Sequence, residues 1–345
     1  NPEFYKAQAM RMSVWNKPRV IGCAENYPQH IALPRGCLDS ALSFLRYNNI
    51  AAELIDKRFA GTECNAVFTG NLRAEQEEAV SALLRYDTGV LCAPTAFGKT
   101  VTAAAVIARR KVNTLILVHR TELLKQWQER LAVFLQVGDS IGIIGGGKHK
   151  PCGNIDIAVV QSISRHGEVE PLVRNYGQII VDECHHIGAV SFSAILKETN
   201  ARYLLGLTAT SIRRDGLHPI IFMYCGAIRH TAARPKESLH NLEVLTRSRF
   251  TSGHLPSDAR IQDIFREIAL DHDRTVAIAE EAMKAFGQGR KVLVLTERTD
   301  HLDDIASVMN TLKLSPFVLH SRLSKKKRTM LISGLNALPP DSPRI

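Results

Sequence analysis

The sequence predicts an α/β fold built on a parallel β-sheet. Between residues 67 and 235, short apolar runs that are typical of buried strands alternate with longer runs of helical periodicity. Strands that alternate with helices in this way form parallel sheets with helices on both faces. At 345 residues, the chain is long enough for two or more domains and for a core that needs no disulfide support.

The elements of this sheet are expected in the order of the chain. The apolar runs predict strands at 89–93, 114–118, 141–144, 155–160, 178–181 and 203–207. The amphipathic runs between them predict helices at 100–110 and 121–135. We therefore expect residues 67–235 to form one α/β domain.

A smaller region precedes this domain. Residues 1–66 are predicted to be a small α+β domain. Leu38, Leu42 and Leu45 lie on one face of a predicted helix at 37–46. The apolar runs of this region predict strands at 19–23, 30–33 and 51–55.

A third region follows the sheet. Residues 236–262 are predicted to be a connector, and residues 263–345 the start of a second α/β domain. The elements expected here are helices at 261–286, at 300–312 and from 324, and strands at 291–296 and 317–319. Because a complete sheet of this class needs roughly 150 residues, we expect this second domain to be incomplete.

Charge and cysteine usage narrow the class of protein. Lys and Arg number 44 against 34 Asp and Glu, which gives a net charge of +10 and favours a polyanionic partner such as nucleic acid. The 7 cysteines are scattered, which argues against a disulfide framework and favours the cytoplasm. No apolar run is long enough to span a bilayer, so no membrane partner is expected. The first residues lack both a start methionine and a signal-peptide pattern, so we expect the chain to begin inside a longer protein.

A glycine-containing turn lies between the first predicted strand of the sheet and its helix. The first N–H groups of a helix that follows such a turn are unpaired and attract phosphate. Lys99 would then reach the β- and γ-phosphates of ATP, while the Thr100 hydroxyl would hold Mg²⁺. Ala93 stands where the usual pattern has a glycine, so the match is incomplete. The predicted nucleotide-binding loop comprises Thr95, Ala96, Phe97, Gly98, Lys99 and Thr100.

Two acids follow the predicted strand at 178–181. Asp182 and Glu183 would stand at its carboxyl end, where open α/β sheets bind ligands. Asp182 can hold Mg²⁺ through water, and Glu183 can orient and deprotonate the attacking water. A solvated loop is the plain alternative for these acids, and a polar turn or a zinc site is the alternative for 184–186. Three consecutive residues cannot all point at one metal, which argues against the zinc site. A nucleotide site with the two acids beside the phosphates is therefore the favoured interpretation of this segment.

Six short motifs occur in the order found in superfamily 2 helicases. They lie at 72–76, 93–100, 118–124, 160–162, 182–185 and 207–210. The chain resembles this superfamily, within it the XPB and UvsW branch, and more closely the helicase of the prokaryotic TOTE conflict systems. The last likeness depends on the phrases APTAFGKT, IGGGK, VDECHH and HPIIFM.

The resemblance implies a function and an architecture. It implies RecA-like motor domains that use ATP and Mg²⁺ to move along or unwind nucleic acid, DNA in the first instance, in defence against phage and mobile elements or in DNA repair. Nuclease or primase domains of the same system are implied partners. The implied catalytic residues are Lys99, Asp182, Glu183 and His185.

Further roles are implied residue by residue. Gln76, with Arg73, resembles the element that reads adenine, because an amide side chain can make paired donor and acceptor contacts. A surface position at a helix start is the alternative for Gln76. Thr208 and Thr210 resemble the motif that couples hydrolysis to domain movement, with hydroxyls able to contact His185 or the second carboxylate.

A nucleic-acid track is implied as well, and Trp127 belongs to its first element. Its implied backbone contacts are His119, Arg120, Gln126, Gly146, Gln161, Ser162 and Arg213. A tight hairpin turn is the alternative for 145–148, and Arg214 reverses the charge of the acid that XPB-like proteins carry in their Arg-Glu-Asp loop. Backbone contacts bind by charge and shape and do not separate DNA from RNA.

Two functional hypotheses stay open. The first is an ATP-driven helicase or translocase. The second is a nucleotide-gated clamp that holds DNA and recruits a nuclease or primase without productive turnover. The resemblance places an arginine finger beyond residue 345, so we expect this chain alone to bind ATP with Mg²⁺ but to hydrolyse it slowly. Residues 1–66 resemble a damage-recognition-like domain in position only, and a packing module is the alternative.

Overall fold

A computed structural model describes residues 1–137, 141–165, 168–186, 190–210, 212, 216–233, 243–248 and 261–345. The chain divides into two compact units, residues 1–242 and 243–345. The predicted connector falls largely outside the described residues. The predicted division at residues 66, 235 and 262 stays a prediction.

The strands are short, and most lie in the first 210 residues. They are β1 (Glu25–Asn26), β2 (Ile31–Ala32), β3 (Val67–Phe68), β4 (Thr88–Cys92), β5 (Thr114–Val118), β6 (Leu135–Gln136), β7 (Gly142–Gly145), β8 (Lys148–Lys150), β9 (Ile155–Val159), β10 (Ser164–Arg165), β11 (Glu168–Val169), β12 (Gln178–Val181), β13 (Tyr203–Thr208) and β14 (Ile228–Thr231).

The helices occur in both units. They are α1 (Pro2–Ala9), α2 (Leu38–Tyr47), α3 (Ala74–Leu84), α4 (Lys99–Arg110), α5 (Thr121–Phe134), α6 (Val160–Ile163), α7 (Val190–Glu198), α8 (His218–Cys225), α9 (Ile261–Leu270), α10 (His272–Gly287), α11 (Thr299–Thr311) and α12 (Lys325–Ala337). Single 3₁₀ turns lie at Arg35–Cys37, Pro171–Asn175 and Cys184–His186. Among the described residues, none of these helices combines the length and the apolar character that crossing a membrane requires.

One sheet organises the described part of the first unit. It has eight strands in the order β14-β4-β13-β12-β5-β9-β7-β8, and all neighbours are parallel except the antiparallel pair β7 and β8. The predicted α/β fold class with its parallel sheet is thereby confirmed. The sequence prediction lacked the edge strands β8 and β14, because their mainly polar, exposed residues form no apolar run.

Two cores cover the two faces of this sheet. Successive side chains of a strand point to opposite faces. Ile116 and Val118 of β5 pack under helices α3, α4 and α5, whereas Leu115 and Leu117 pack with residues of α7 and α8. All residues of β5 are buried, as expected for a parallel strand covered on both faces.

The parallel strands bring the residues that follow them to one edge of the sheet. The backbone ladder continues past the strand ends, because Ala93 N–H donates to the Thr208 carbonyl at 2.9 Å. Asp182 N–H likewise donates to the Leu117 carbonyl at 3.0 Å. The phosphate-binding loop, Thr208, Asp182 and His119 therefore follow one another along this edge in the order β4, β13, β12 and β5.

The amino-terminal region belongs to the first unit. Its predicted helix is present as α2, and its predicted strand at 30–33 is the two-residue β2, which pairs with β1. The predictions of strands at 19–23 and 51–55 were wrong, since neither segment has a ladder partner in the described structure. Gly36 packs so closely on α8 that a Cβ there would lie 2.2 Å from the Phe222 carbonyl oxygen.

The second unit consists of helices in its described residues. The predicted helix at 261–286 is divided at Asp271, which caps α10 by accepting a hydrogen bond from Arg274 N–H at 3.0 Å. The predicted strands at 291–296 and 317–319 are absent from the described structure, where Leu293 is 80% exposed. Val292 N–H and Phe317 N–H donate only to the carbonyls of Arg344 and Ile345, so neither segment has the neighbours that a sheet requires.

Candidate functional site

The loop between β4 and α4 has the geometry of a phosphate-binding turn. Gly98 has φ +93° and ends the loop, and no side chain caps the first N–H groups of α4. A Cβ on Gly98 would lie 2.5 Å from Gln76 Nε2, so both its backbone angle and its surroundings require glycine. Thr95 and Ala96 are exposed. The loop therefore offers uncapped donors to an anion.

Lys99 is the first residue of α4 and lies at the centre of the site. Its ammonium group donates to the Ala93 carbonyl at 3.3 Å and lies 3.7 Å from Glu183 Oε1. Its side chain is only 12% exposed, so the ammonium group is held within the loop. Thr100 follows it and is half-buried. The structure thus joins the two sequence motifs, which lie 83 residues apart at Thr100 and Glu183, into one cluster.

Gln76 and Arg73 brace the loop from α3. The Phe97 carbonyl accepts hydrogen bonds from Gln76 Nε2 at 2.7 Å and from the Arg73 guanidinium. Gln76 Oε1 accepts from Arg73 N–H at 3.0 Å, and Gln76 is 5% exposed. These contacts fix the conformation of the loop around Phe97. The alternative of a surface position for Gln76 is wrong, and its adenine contact stays a prediction.

Asp182 is buried where β12 ends. Its Oδ2 accepts a hydrogen bond from Trp127 Nε1 at 2.7 Å, and its Oδ1 accepts from Glu183 N–H at 3.0 Å. Burial raises the pKa of Asp182, and the Trp127 hydrogen bond opposes that rise. The carboxylate is thus fixed by two donors at 8% exposure, which rules out the solvated-loop alternative for this residue.

Glu183 and His185 form a second cluster with Thr208, the last residue of β13, and Thr210. Glu183 has φ +48°, an uncommon angle for a residue with a side chain. His185 Nδ1 lies 3.2 Å from Glu183 Oε2 and 3.2 Å from Thr208 Oγ1. The Thr208 hydroxyl donates to the Thr210 carbonyl at 2.8 Å, so it can only accept from the histidine. The predicted contact between the threonine motif and His185 is therefore present.

Three imidazole rings extend this cluster toward the neighbouring strand. The ring of His186 lies 4.3 Å from that of His185 and 4.3 Å from that of His119, which follows β5. Burial lowers the pKa of His119, and the charge of Arg120 lowers it further. The three rings connect the end of β5 to Glu183. The sequence predicts no role for His186, whose only signal is that it adjoins His185.

The zinc alternative for 184–186 has little geometric support. Cys184 is fully buried in the core with Cys225, and burial raises the pKa of its thiol. His185 and His186 point instead along the sheet edge. Among the described residues, no group of three or more His, Cys, Asp or Glu side chains is placed to hold a metal ion.

The candidate nucleic-acid residues lie farther along the same edge. Arg120, Gln126 and Gln161 are exposed, and Ser162 is half-buried. Arg213, with Arg214 and Asp215, lies outside the described residues. Trp127 does not fit the predicted track, because it is 2% exposed and points under the sheet edge to Asp182. Its spacing from the buried Leu124 and Leu131 was the sequence signal for that orientation.

The segment at 145–148 forms a hairpin turn. Gly145 pairs with Lys148 across the antiparallel strands β7 and β8. Gly146 and Gly147 between them have φ angles of +61° and +83°, which suit a two-residue turn. The turn borders a groove of about 650 Å³ that Ser162 and Arg165 also line. The hairpin alternative is confirmed, and a phosphate contact of Gly146 stays a prediction.

The sequence around this site is similar to known helicases. Residues 69–213 match the family described as "Type III restriction enzyme, res subunit". The "DNA 3'-5' translocase XPB2" of Sulfurisphaera tokodaii is 37% identical over 157 residues, which are 46% of this chain and 35% of that protein. Residues 69–213 are thus similar in sequence to the helicases of the XPB branch. The predicted resemblance to the XPB branch is thereby confirmed, and the closer likeness to TOTE systems stays a prediction.

Two further relatives match longer stretches. The "DNA 3'-5' helicase XPB" of Kineococcus radiotolerans is 29% identical over 281 residues, which are 76% of this chain and 48% of that protein. The solved structure of UvsW from bacteriophage T4 matches with a TM-score of 0.47 and 16% identity over 97% of this chain and 74% of that one. The chain spans 35%, 49% and 63% of the first three curated relatives.

Proposed function

We propose that residues 69–213 belong to a superfamily 2 helicase domain, which binds ATP with Mg²⁺ and uses its hydrolysis to move along or unwind DNA. The observation that carries the proposal is the cluster of Lys99, Asp182 and Glu183 beside an uncapped helix N-terminus. Lys99 Nζ lies 3.7 Å from Glu183 Oε1, although the two residues come from different loops of the sheet edge. The names of the XPB relatives support DNA as the track.

The residues present fit a nucleoside triphosphate with its metal ion. Gly98 precedes α4 with a left-handed φ of +93°, and no side chain caps the first N–H groups of that helix, which leaves them for phosphate oxygens. Lys99 would hold the phosphates, and Thr100 and Asp182 would hold Mg²⁺. Mg²⁺ needs only one or two protein groups besides the phosphates, and it neutralises charge on the transferred phosphoryl group.

Glu183 is the group that would act on water. Its carboxylate lies between Lys99 Nζ and His185 Nδ1, at 3.7 Å and 3.2 Å, and these two groups fix its position. A water placed at Glu183 would lose its proton to the carboxylate as it attacks. His185 would then report the state of Glu183 to Thr208, which lies on the next strand.

The track would run over the exposed ends of β5 and β9. Arg120 and Gln161 are exposed there, and the chain carries a net charge of +10. Contacts to the phosphate backbone are independent of the base sequence, so we expect the protein to bind DNA with little sequence preference. We further propose that the protein acts in the cytoplasm, in DNA repair or in defence against phage and mobile elements. A nuclease or primase of the same system is its expected partner.

Steady-state ATP hydrolysis by the purified protein tests this proposal. It is measured alone and with single-stranded, forked and duplex DNA and with RNA, for the wild type, Lys99→Ala and Lys57→Ala. Lys57 is an exposed lysine of the same unit and serves as the matched control. We expect stimulation by DNA in the wild type and in Lys57→Ala, and its loss in Lys99→Ala.

Other outcomes have distinct meanings. Stimulation by RNA and not by DNA would show that the protein moves along RNA, and the proposal of an ATP-driven motor would stand. Binding of ATP without stimulated turnover would support the nucleotide-gated clamp instead. Absence of ATP binding would overturn the whole proposal.

A further inference from the structure

Trp127 of α5 contacts the predicted metal site. It is 2% exposed, and its indole N–H donates to Asp182 Oδ2 at 2.7 Å. The two residues are 55 positions apart in the chain and come from different layers of the fold. An indole has one donor, and Trp127 uses it on this carboxylate.

This hydrogen bond restricts the direction in which Asp182 can act. Oδ1 accepts from the N–H of Glu183, and Oδ2 accepts from Trp127, so the carboxylate cannot rotate without breaking both bonds. Each oxygen keeps a second lone pair for a further donor. An anion at 8% exposure is also stabilised by charge-assisted hydrogen bonds. Trp127 thus supplies both orientation and charge stabilisation.

The same tryptophan belongs to the helix that begins the predicted track. Arg120 immediately precedes α5, and the exposed Gln126 is the neighbour of Trp127 on that helix. Leu124 and Leu131 fasten the buried face of α5 to the core beside Trp127. A displacement of α5 would therefore move the indole N–H relative to Asp182.

We propose that Trp127 is a positioning residue that aims the Asp182 carboxylate at the Mg²⁺ of the bound nucleotide and links that aim to the position of α5. This inference rests on the proposed nucleotide-binding function. It assigns to Trp127 a role in the metal site instead of the nucleic-acid contact that the sequence motif implied.

The test measures how much Mg²⁺ strengthens nucleotide binding. The affinity for a fluorescent ATP analogue is determined with Mg²⁺ and with EDTA, and the ratio of the two dissociation constants is compared among variants. Trp127→Phe keeps an aromatic ring and removes the N–H. Since a hydrogen bond to a charged group is lost, we expect this ratio to fall about tenfold, while binding in EDTA is unchanged.

Two matched variants separate this role from packing. Ile143→Val removes buried volume from the same core on β7 and leaves α5 unchanged, and Trp15→Phe makes the same substitution at a site that is 95% exposed. Both should keep the wild-type ratio. An unchanged ratio in Trp127→Phe would overturn the inference. Absence of nucleotide binding by the wild type would instead overturn the proposed function.

A second measurement needs no altered Trp127. The chain has 2 tryptophans, so ¹⁵N-labelled indole groups give two signals, and Trp15→Phe assigns them. We expect the Trp127 indole signal to shift when Mg²⁺ and nucleotide are added together, and to stay in place with nucleotide and EDTA. Equal shifts in both conditions would contradict a role at the metal.

Discussion

The two halves of one sheet edge are built differently. In the half formed by β4, β13 and β12, the polar side chains bond to each other, and Lys99, Glu183 and His185 are at most partly exposed. In the half formed by β5, β9 and β7, Arg120 and Gln161 extend into solvent. A preorganised cluster suits chemistry on one small ligand, whereas exposed side chains suit a long and variable polymer.

The largest expected effect comes from Glu183→Gln in the first half. It keeps the size of the side chain and removes the base, so stimulated ATP hydrolysis should fall about 10²- to 10⁴-fold. Nucleotide affinity should not change. Glu53→Gln, at an exposed position, is the control. A Glu183→Gln protein that hydrolyses ATP at the wild-type rate would falsify the assignment of the base.

A pair of glycine substitutions compares the two halves directly. Gly98 and Gly147 both have positive φ angles, but a Cβ would meet Gln76 only at Gly98 and open space at Gly147. Gly98→Ala should lower nucleotide affinity by roughly tenfold through strain of about 1–3 kcal/mol in the loop. Gly147→Ala should leave nucleotide affinity unchanged. Equal losses in both variants would show that general backbone strain, not the loop, controls binding.

Arg120→Ala tests the exposed half. Each phosphate contact adds to the salt dependence of binding, so the slope of log affinity against log salt should decrease by about 1. Nucleotide affinity should stay at the wild-type value. Arg46→Ala removes an exposed arginine from α2 and should leave the slope unchanged. The measurement is a titration with single-stranded DNA at several salt concentrations, and an unchanged slope in Arg120→Ala would remove this residue from the track.

The smallest effect concerns the histidine rings at the boundary of the halves. Burial and the charge of Arg120 lower the pKa of His119, so the unfolded chain takes up a proton there first as pH falls. The stability that His119 contributes is therefore lost below about pH 6.5, toward its lower folded pKa. His119→Phe keeps a ring and should lower the difference in Tm between about pH 7.5 and about pH 5.5. His30→Phe, at an exposed position, should keep the wild-type difference.

The first half could be predicted well from the sequence. The apolar run of β12 placed Asp182 and Glu183 at a strand end, and Gly98-Lys99-Thr100 marked the start of α4. The alternation of strands and helices predicts a parallel sheet, and the carboxyl ends of parallel strands lie at one edge. The two motifs could therefore be placed at the same edge from the sequence. These predictions depend on local patterns that buried strands leave in a sequence.

Other features left no such pattern. The edge strands β8 and β14 are mainly polar and exposed, so their sequences contain neither an apolar run nor an alternation of apolar and polar residues that would predict a strand. The bond from Trp127 to Asp182 joins distant segments, and residue type alone fits a core tryptophan equally well. The segments at 291–296 and 317–319 are apolar, yet strand formation depends on neighbours rather than on composition.

The strand order sets the distance between the nucleotide loop and the predicted nucleic-acid track. Strands β4 and β5 are three positions apart in the sheet, which is about 14 Å at roughly 4.8 Å per strand. This distance exceeds the Debye length of about 8 Å at physiological ionic strength, so the charge of a bound phosphate is largely screened at the surface where β5 ends. A signal between the two ends must then be carried by displacement through contacting groups, and the rings of His185, His186 and His119 are such a contiguous series.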